Sequence, residues 1–212
     1  MEEQNLHDEL ASIRNLMERS SKFISLSGLS GILAGIYALI GAVAAFLLLY
    51  YGSCSSPFIY ANSTIALQDY NWSLIYELLI VAAAVLMASL ATGLILAQRK
   101  AKRKNQPIWG EASKQLLFNM AVPLVAGGLL AVVMLLKGHI GFISSITLIF
   151  YGVALVSASN FTYKDVRYLG LLEILLGLFA AYVPGFGLYF WALGFGVLHI
   201  IYGSVVYFKY DR

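Results

Sequence analysis

Charged side chains are scarce in this chain: they make up 12% of its 212 residues, whereas hydrophobic residues make up 60%. An ordinary soluble domain carries about 25% charged residues. A soluble chain this apolar would expose patches large enough to aggregate, because a small globule has too little interior to hide them. The composition therefore predicts an integral membrane protein whose surface faces lipid.

Cysteine is nearly absent as well. Cys54 is the only one, which excludes an intramolecular disulfide and a cysteine-based metal site. The chain also lacks a paired-histidine metal motif, a phosphate-binding glycine loop before Lys-Ser/Thr, and a nucleophile elbow. These absences make an enzyme the least favoured class, and we predict no catalytic residue, no cofactor and no metal site.

Six apolar segments are long enough, or nearly so, to cross a bilayer core of about 30 Å, which takes roughly 20 helical residues. They cover residues 23–50, 73–97, 114–136, 140–158, 166–182 and 187–208. Only Lys137–His139 separates the third segment from the fourth, whereas Pro184–Gly187 is a strong turn signal between the last two. The pattern predicts an all-α bundle of six transmembrane helices within residues 23–212.

Residues 1–22 are polar and predict one amphipathic helix on the cytoplasmic side. Its apolar residues Leu6, Leu10, Ile13 and Met17 recur at alternating steps of four and three. We favour a helix that rests on the membrane surface or on the protein's own cytoplasmic face. The alternative is a helix that pairs with itself or docks a protein partner.

The basic residues predict the orientation of the chain. With six spans, 13 of the 14 lysines and arginines fall on one side, and only Lys137 falls on the other. The positive-inside rule then places both termini in the cytoplasm. We interpret the cluster of Arg99, Lys100, Lys102, Arg103 and Lys104 as a topology determinant that contacts anionic lipid headgroups. Nucleic-acid binding is disfavoured, because no folded domain accompanies this cluster.

Ionisable residues inside apolar spans are costly and are therefore the main functional candidates. Glu173 shares a helix face with Gly170 and Gly177, and His199 shares one with Gly196 and Gly203. Counted back from the turn near Gly185, their depths differ by about 3 Å at about 1.5 Å per residue. Small residues beside each polar group let two backbones approach closely. We predict that Glu173 and His199 face each other as a hydrogen-bonded or ionic pair.

Two roles remain open for this pair. It can be structural, fixing helix register, or it can be a proton-responsive or ligand-binding site, since histidine titrates near neutral pH. Asn119 lies at a similar depth, before Pro123 in the third span. The sequence therefore allows a polar cavity lined by Asn119, Glu173 and His199 and open toward the cytoplasm.

Two weaker patterns concern the outer boundary and helix packing. Glu77 can reach Lys137 and His139 if the second helix packs near the third, although extension of its side chain to the lipid headgroups is the simpler interpretation. In the first span, Ser27, Gly31 and Gly35 form a stripe of small residues that predicts a close helix contact. We favour a contact within the chain over one with a second protein.

The segments Met17–Gly31 and Gly194–Gly203 resemble segments of small multi-pass bacterial membrane proteins without assigned activity. The resemblance implies a bacterial inner membrane and no residue roles. The leading functional expectation is a non-enzymatic subunit, accessory factor or regulator that binds a protein partner. A small transporter or a proton- or ligand-sensing protein that uses the Asn119–Glu173–His199 region is second, and a membrane-embedded enzyme is third. Membrane lipid is the expected surrounding, and the sequence does not identify a small-molecule ligand.

Overall fold

The computed structural model describes residues 27–52, 72–103 and 109–211, and within these ranges the chain is helical with no strand. The all-α prediction is therefore confirmed for the described residues. The amphipathic helix predicted for residues 1–22 lies outside them, as do Cys54 and Lys104.

Six long helices make up the described chain. They are α1 (Gly28–Gly52), α2 (Trp72–Arg103), α3 (Glu111–Leu136), α4 (Ile143–Ala158), α5 (Asp165–Tyr182) and α6 (Gly187–Asp211). Five of the six are long and apolar enough to cross a membrane, α4 together with the 3₁₀ turn Ile140–Phe142 that precedes it. The exception is α5, an 18-residue helix that carries Asp165, Arg167 and Glu173.

Two tight turns make antiparallel hairpins of the last four helices. Between α3 and α4, Gly138 has a φ of 83°, a conformation that a residue with a Cβ rarely adopts. Between α5 and α6, the 3₁₀ turn Pro184–Phe186 reverses the chain. Both breaks lie where the sequence places them.

Helix α6 is irregular. Its α-helical parts alternate with two π-helical stretches, Ala192–Leu198 and Tyr207–Asp211. A π-helical turn is an insertion that shifts the following side chains around the helix axis, and such turns occur frequently at functional sites. The first π-helical stretch ends where His199 begins the next α-helical segment.

The helices pack in a definite order. Helix α5 lies against α4 and α6, α1 lies against α6, and α3 and α2 flank the bundle by packing mainly on α4 and α1 respectively. A buried cluster of Leu155, Tyr163, Val166, Leu169 and Val206 joins α4, α5 and α6. The interior of the protein therefore lies among these three helices.

Glycines allow the closest helix contacts. Gly152 of α4 and Gly170 of α5 face each other's carbonyl oxygens, and Gly177 faces Ser145 and Ile149 of α4. On α1, a Cβ at Gly31 would lie 3.1 Å from the Cα of Gly203. The small-residue stripe of α1 thus makes a contact within the chain, against α6.

This contact changes the role of two glycines. The sequence places Gly196 and Gly203 beside the polar pair, but in the structure Gly196 faces Leu39 and Gly203 faces the backbone of α1 around Gly31 and Ile32. They therefore pack α6 against α1, on a different side of α6 from Glu173.

One end of the bundle is joined by polar contacts. Asp211 accepts hydrogen bonds from the backbone N–H of Gly28 at 2.7 Å and from the Ser27 hydroxyl at 3.1 Å, and it forms an ion pair with Lys100. Lys100 also donates to the Tyr163 hydroxyl at 3.2 Å. The start of α1, the end of α2, the α4–α5 connection and the end of α6 therefore meet here. We term this the basic end.

The basic cluster is divided by these contacts. Arg99, Lys102 and Arg103 are exposed, as residues that contact lipid headgroups must be. Lys100 is turned inward, and its side chain is only 12% exposed. Its charge is used inside the protein, against Asp211, instead of at the headgroups.

Candidate functional site

The structure brings Glu173 and His199 together in the interior. His199 Nδ1 lies 3.4 Å from Glu173 Oε1. Glu173 is completely buried and His199 is 7% exposed. This is the juxtaposition that the depth count of the two helices predicts.

The local backbone explains how a carboxyl group fits at this position. Glu173 lies on the buried face of α5 between Gly170 and Gly177, and its carboxyl group rests against Gly194 in the first π-helical stretch of α6. A Cβ at position 194 would overlap Glu173 Oε2 and would lie 2.6 Å from Leu148 Cδ2. Gly194 is therefore the glycine that makes room for the carboxyl group.

Both ring nitrogens of His199 have partners. Nδ1 lies 3.1 Å from the Gly194 carbonyl oxygen, and Nε2 lies 2.9 Å from the Tyr151 hydroxyl. Because a carbonyl oxygen can only accept, the proton of the neutral ring is assigned to Nδ1, and Tyr151 then donates to Nε2. When the ring is doubly protonated, Nε2–H donates to the Tyr151 oxygen instead. The surroundings of His199 thus accommodate both charge states.

Glu173 is in a different situation. Among the described residues, neither of its carboxyl oxygens has a hydrogen-bond partner, and both are buried. A buried polar group without a hydrogen bond costs about 1–3 kcal/mol, and more when it is charged. Two arrangements keep the pair neutral overall, namely a protonated Glu173 beside neutral His199 and an ionised Glu173 beside a protonated ring. Both contain the same number of protons.

Aromatic rings surround the imidazole. Trp191 contacts Phe195 with ring centroids 5.0 Å apart, and Phe195 stacks on His199 at 6.0 Å. Tyr151 contacts both Phe195 and His199, at 5.0 and 5.4 Å. A tryptophan is therefore one ring removed from the histidine.

The other candidate residues lie elsewhere. The side-chain amide of Asn119 donates to the Gln115 carbonyl of its own helix at 2.8 Å, and α3 packs mainly on α4. The described contacts do not join it to the pair. Glu77 is exposed on α2, which packs on α1. The approach of Glu77 to Lys137 and His139 requires α2 to pack against α3, and the described residues show no extended contact between these two helices.

Sequence reasoning missed two residues of the site, Tyr151 and the role of Gly194. For Tyr151 a signal was available: it lies 11 residues after Ile140 at the start of its span, and His199 lies 12 residues after Gly187. The depth count that pairs Glu173 with His199 therefore also selects Tyr151. The position of Gly194 depends on the π-helical stretch, for which the sequence gives no comparable signal.

The basic end contains a second polar group of residues. Tyr210 donates to Asp165 at 2.8 Å, and Lys209 donates to the same carboxylate at 3.0 and 3.1 Å. Burial alone would raise the pKa of Asp165, but the hydrogen bonds from Tyr210 and Lys209 hold it below its ordinary value. Burial, with Asp211 and Tyr210 nearby, raises the pKa of Tyr163 to about 12. Tyr163 is therefore a neutral hydroxyl at physiological pH.

Within the described residues, no group of three or more histidine, cysteine or acidic side chains is arranged to hold a metal ion. Comparison of the chain with protein-family models, with curated proteins and with solved structures finds no match. The function must therefore be argued from the geometry of the site.

Proposed function

We propose that this chain is a small proton-responsive membrane protein, a transporter or sensor in which Glu173 and His199 bind and release a proton. The observation that carries the proposal is the completely buried Glu173, both of whose carboxyl oxygens have no hydrogen-bond partner in the described chain, 3.4 Å from His199. Buried polar groups in structural roles are usually hydrogen-bonded. A carboxyl group left without such bonds favours a functional role.

The protonation states have unequal costs. With one shared proton the pair is neutral, but adding or removing a proton leaves a net charge among apolar side chains. Such a charge is expensive to bury, so the change in protonation favours a shift of the helices or the entry of a ligand that compensates the charge. This coupling is what a proton-driven transporter or a pH sensor requires.

Few other ionisable groups face the pair. Helix α4 contributes Tyr151, which bonds to Nε2. Helix α1 contributes Gly31 and Gly35 to the neighbouring turns of α6, and α3 contributes Met120 to the adjoining cluster. The response to pH is thus assigned to Glu173 and His199 themselves.

The proposal also includes a location and a topology. The protein lies in the inner membrane of a bacterium, crosses it six times and has both termini in the cytoplasm. Support for α5 as a span comes from its antiparallel hairpin with α6 and from its length of about 27 Å, at about 1.5 Å per residue. Asp165 and Arg167 lie in its first turns at the basic end, and Glu173 is covered by protein. Labelling of Cys54 by a membrane-impermeant maleimide added to intact cells supports this topology, and labelling only after lysis contradicts it.

The function is tested with Trp191 as an intrinsic reporter. Replacing Trp72 and Trp109 with phenylalanine leaves one tryptophan in the chain, one ring removed from His199. In lipid nanodiscs, its fluorescence is expected to change with pH as the pair binds and releases a proton. Glu173→Gln and His199→Gln should each abolish this titration.

The chain offers matched controls. Glu77→Gln and His139→Gln remove the same chemical groups from residues at the end of the bundle away from the basic end and should leave the Trp191 titration unchanged. A pH-independent Trp191 signal in the parent protein, or a titration that survives Glu173→Gln, would contradict a proton-binding role for the pair.

The interaction hypothesis remains a prediction. Its main element, residues 1–22, lies outside the described residues, so no contact supports or opposes docking to a protein partner or to a second copy. Deleting these residues should abolish association if the hypothesis holds, while the Trp191 titration should persist.

A further inference from the structure

A file of tyrosines lies between the buried pair and the basic end. On α6, His199 is followed by Tyr202, Val206 and Tyr210 at steps of three, four and four. The first three lie in one α-helical segment and share a face, and Tyr210, in the second π-helical stretch, packs on the same buried cluster as Tyr202 and Val206. Tyr151 and Leu155 continue this surface on α4. The face leads from the polar pair to Asp165.

The hydroxyls at the two ends of this file are engaged. At the end next to the buried pair, Tyr151 bonds to His199 Nε2 at 2.9 Å. At the basic end, Tyr210 donates to Asp165 at 2.8 Å, and its ring stacks on Tyr163 with centroids 4.2 Å apart. Asp165 also binds Lys209, whose side chain is 53% exposed, so this end of the file reaches the protein surface.

The hydroxyl in the middle is different. The Tyr202 oxygen is buried and has no hydrogen-bond partner among the described residues. Its ring packs against the same buried cluster as Tyr151 and Tyr210. A buried tyrosine that serves only packing usually finds a partner for its hydroxyl. Because no described group holds the Tyr202 hydroxyl, its O–H bond can be directed toward either neighbouring tyrosine.

We infer that Tyr210, Tyr202 and Tyr151 relay protons in turn between Asp165 at the basic end and the Glu173–His199 pair. Each phenol gives up its hydroxyl proton to the next acceptor as it receives another from behind, so it is neutral before and after the transfer. Tyr151 delivers to His199 Nε2, and Nδ1–H lies beside the Glu173 carboxylate. Because the Tyr202 hydroxyl has no hydrogen-bond partner among the described residues, each of its two transfers requires a bridging water molecule.

The inference rests on the proposed proton-binding function and adds a route for the proton. The ionisable groups that face Tyr202 across the cluster are Tyr151 from α4, Tyr163 from the α4–α5 connection and Tyr210 from α6, with Asp165 bonded to Tyr210. The alternative is that protons reach the pair by local opening of the helices. A relay depends on the Tyr202 hydroxyl, whereas opening does not.

The test separates the rate of protonation from its equilibrium. The protein with Trp191 as its only tryptophan is placed in nanodiscs, and its fluorescence is followed after a rapid pH jump. In Tyr202→Phe, which removes only the hydroxyl, we expect an unchanged titration midpoint and a relaxation slower by about tenfold or more, as for loss of a positioned proton donor. Tyr207→Phe, an exposed residue of the same helix, should change neither quantity.

Each outcome is decisive. A relaxation in Tyr202→Phe as fast as in the parent protein overturns the relay, and so does a slowing that only reflects a shifted midpoint. Absence of any Trp191 titration in the parent protein instead overturns the proposed function. If Tyr202→Phe does not fold, Tyr210→Phe tests the same route where it reaches the basic end, and we expect the same slowing of the fluorescence relaxation.

Discussion

The two flanks of the bundle and its centre are built by different rules. In the most apolar stretch of each helix, 28% of the residues of α4 and of α6 are buried, compared with 6% in α3 and none in α2. The flanking helices are held mainly by one neighbour each, as in the contacts of Gly41 with Val85 and of Tyr37 with Thr92 between α1 and α2. Nearly all of their remaining surface is apolar and suits lipid.

The difference is that the centre combines close backbone packing with buried polar groups. Lipid cannot hydrogen-bond to a polar side chain, so an ionisable group is tolerated only where protein surrounds it. Individual glycines show the contrast: Gly152 and Gly170 are pressed against neighbouring backbone, whereas Gly93 and Gly128 on the flanks face open space. The comparison therefore predicts opposite effects of the same substitution in the two regions.

The largest expected effect is that of Gly152→Ala. A Cβ at this position would lie 2.5 Å from the Gly170 carbonyl oxygen and 2.9 Å from the Ile174 amide nitrogen, and backbone atoms cannot move aside as a side chain can. We expect the free energy of unfolding to fall by about 2–3 kcal/mol, measured by denaturant titration in detergent micelles.

Gly128→Ala on α3 is the matched control. It should leave stability unchanged or raise it by up to about 1 kcal/mol, because alanine favours helix and meets no neighbour. Equal destabilisation by the two substitutions would show that the centre and the flanks are not packed differently.

Replacing the buried carboxyl group should have a smaller effect of opposite sign. Glu173→Met keeps the volume but removes two buried oxygens without hydrogen bonds, and His199 keeps Tyr151 and Gly194 as partners. We expect stability to rise by about 1–2 kcal/mol while the Trp191 titration is lost. A substantial loss of stability would instead indicate that the pair serves mainly to hold the helices together.

The smallest effect concerns Asp165 at the basic end. Because its pKa is lowered in the folded protein, its contribution is complete above the ordinary value of 3.8 and is lost as the pH falls through the lowered value. Asp165→Asn should remove this part of the acid destabilisation, less than about 1 kcal/mol for a partly exposed pair. Unfolding midpoints at pH 7 and pH 3 measure it; an equal acid loss in both proteins would contradict the assignment.

Sequence alone predicts much of the helical framework. Apolar run length fixes where helices form, and turn residues such as Gly138 fix where they end. The meeting of Glu173 with His199 follows from counting residues back from one tight turn at the rise per residue of a regular α-helix. These are local rules, and they apply without knowledge of the neighbours.

The parts that the sequence does not predict depend on rotation of one helix about its axis. Gly196 and Gly203 share a stripe with His199 in a regular helix, but both face α1 in the structure, and the π-helical stretch shifts Gly196 relative to His199. Lys100 resembles the other cations of its cluster until α6 brings Asp211 beside it. Neither outcome has a signature within its own segment, since each depends on residues about a hundred positions away or on an irregular turn.

The contact between Asp211 and the first turn of α1 has a consequence for biosynthesis. Asp211 supplies the acceptor, and the donors Gly28 and Ser27 lie 183 and 184 positions earlier in the chain. The amide of Gly28 is therefore synthesised long before the carboxylate that it binds. Helix α1 is therefore synthesised, together with the five helices that follow it, before the Asp211 carboxylate can bind its first turn. The hydrogen bonds between Asp211 and α1 can form only after α6 has been synthesised. Truncation before Asp211 would leave the first turn of α1 without this acceptor.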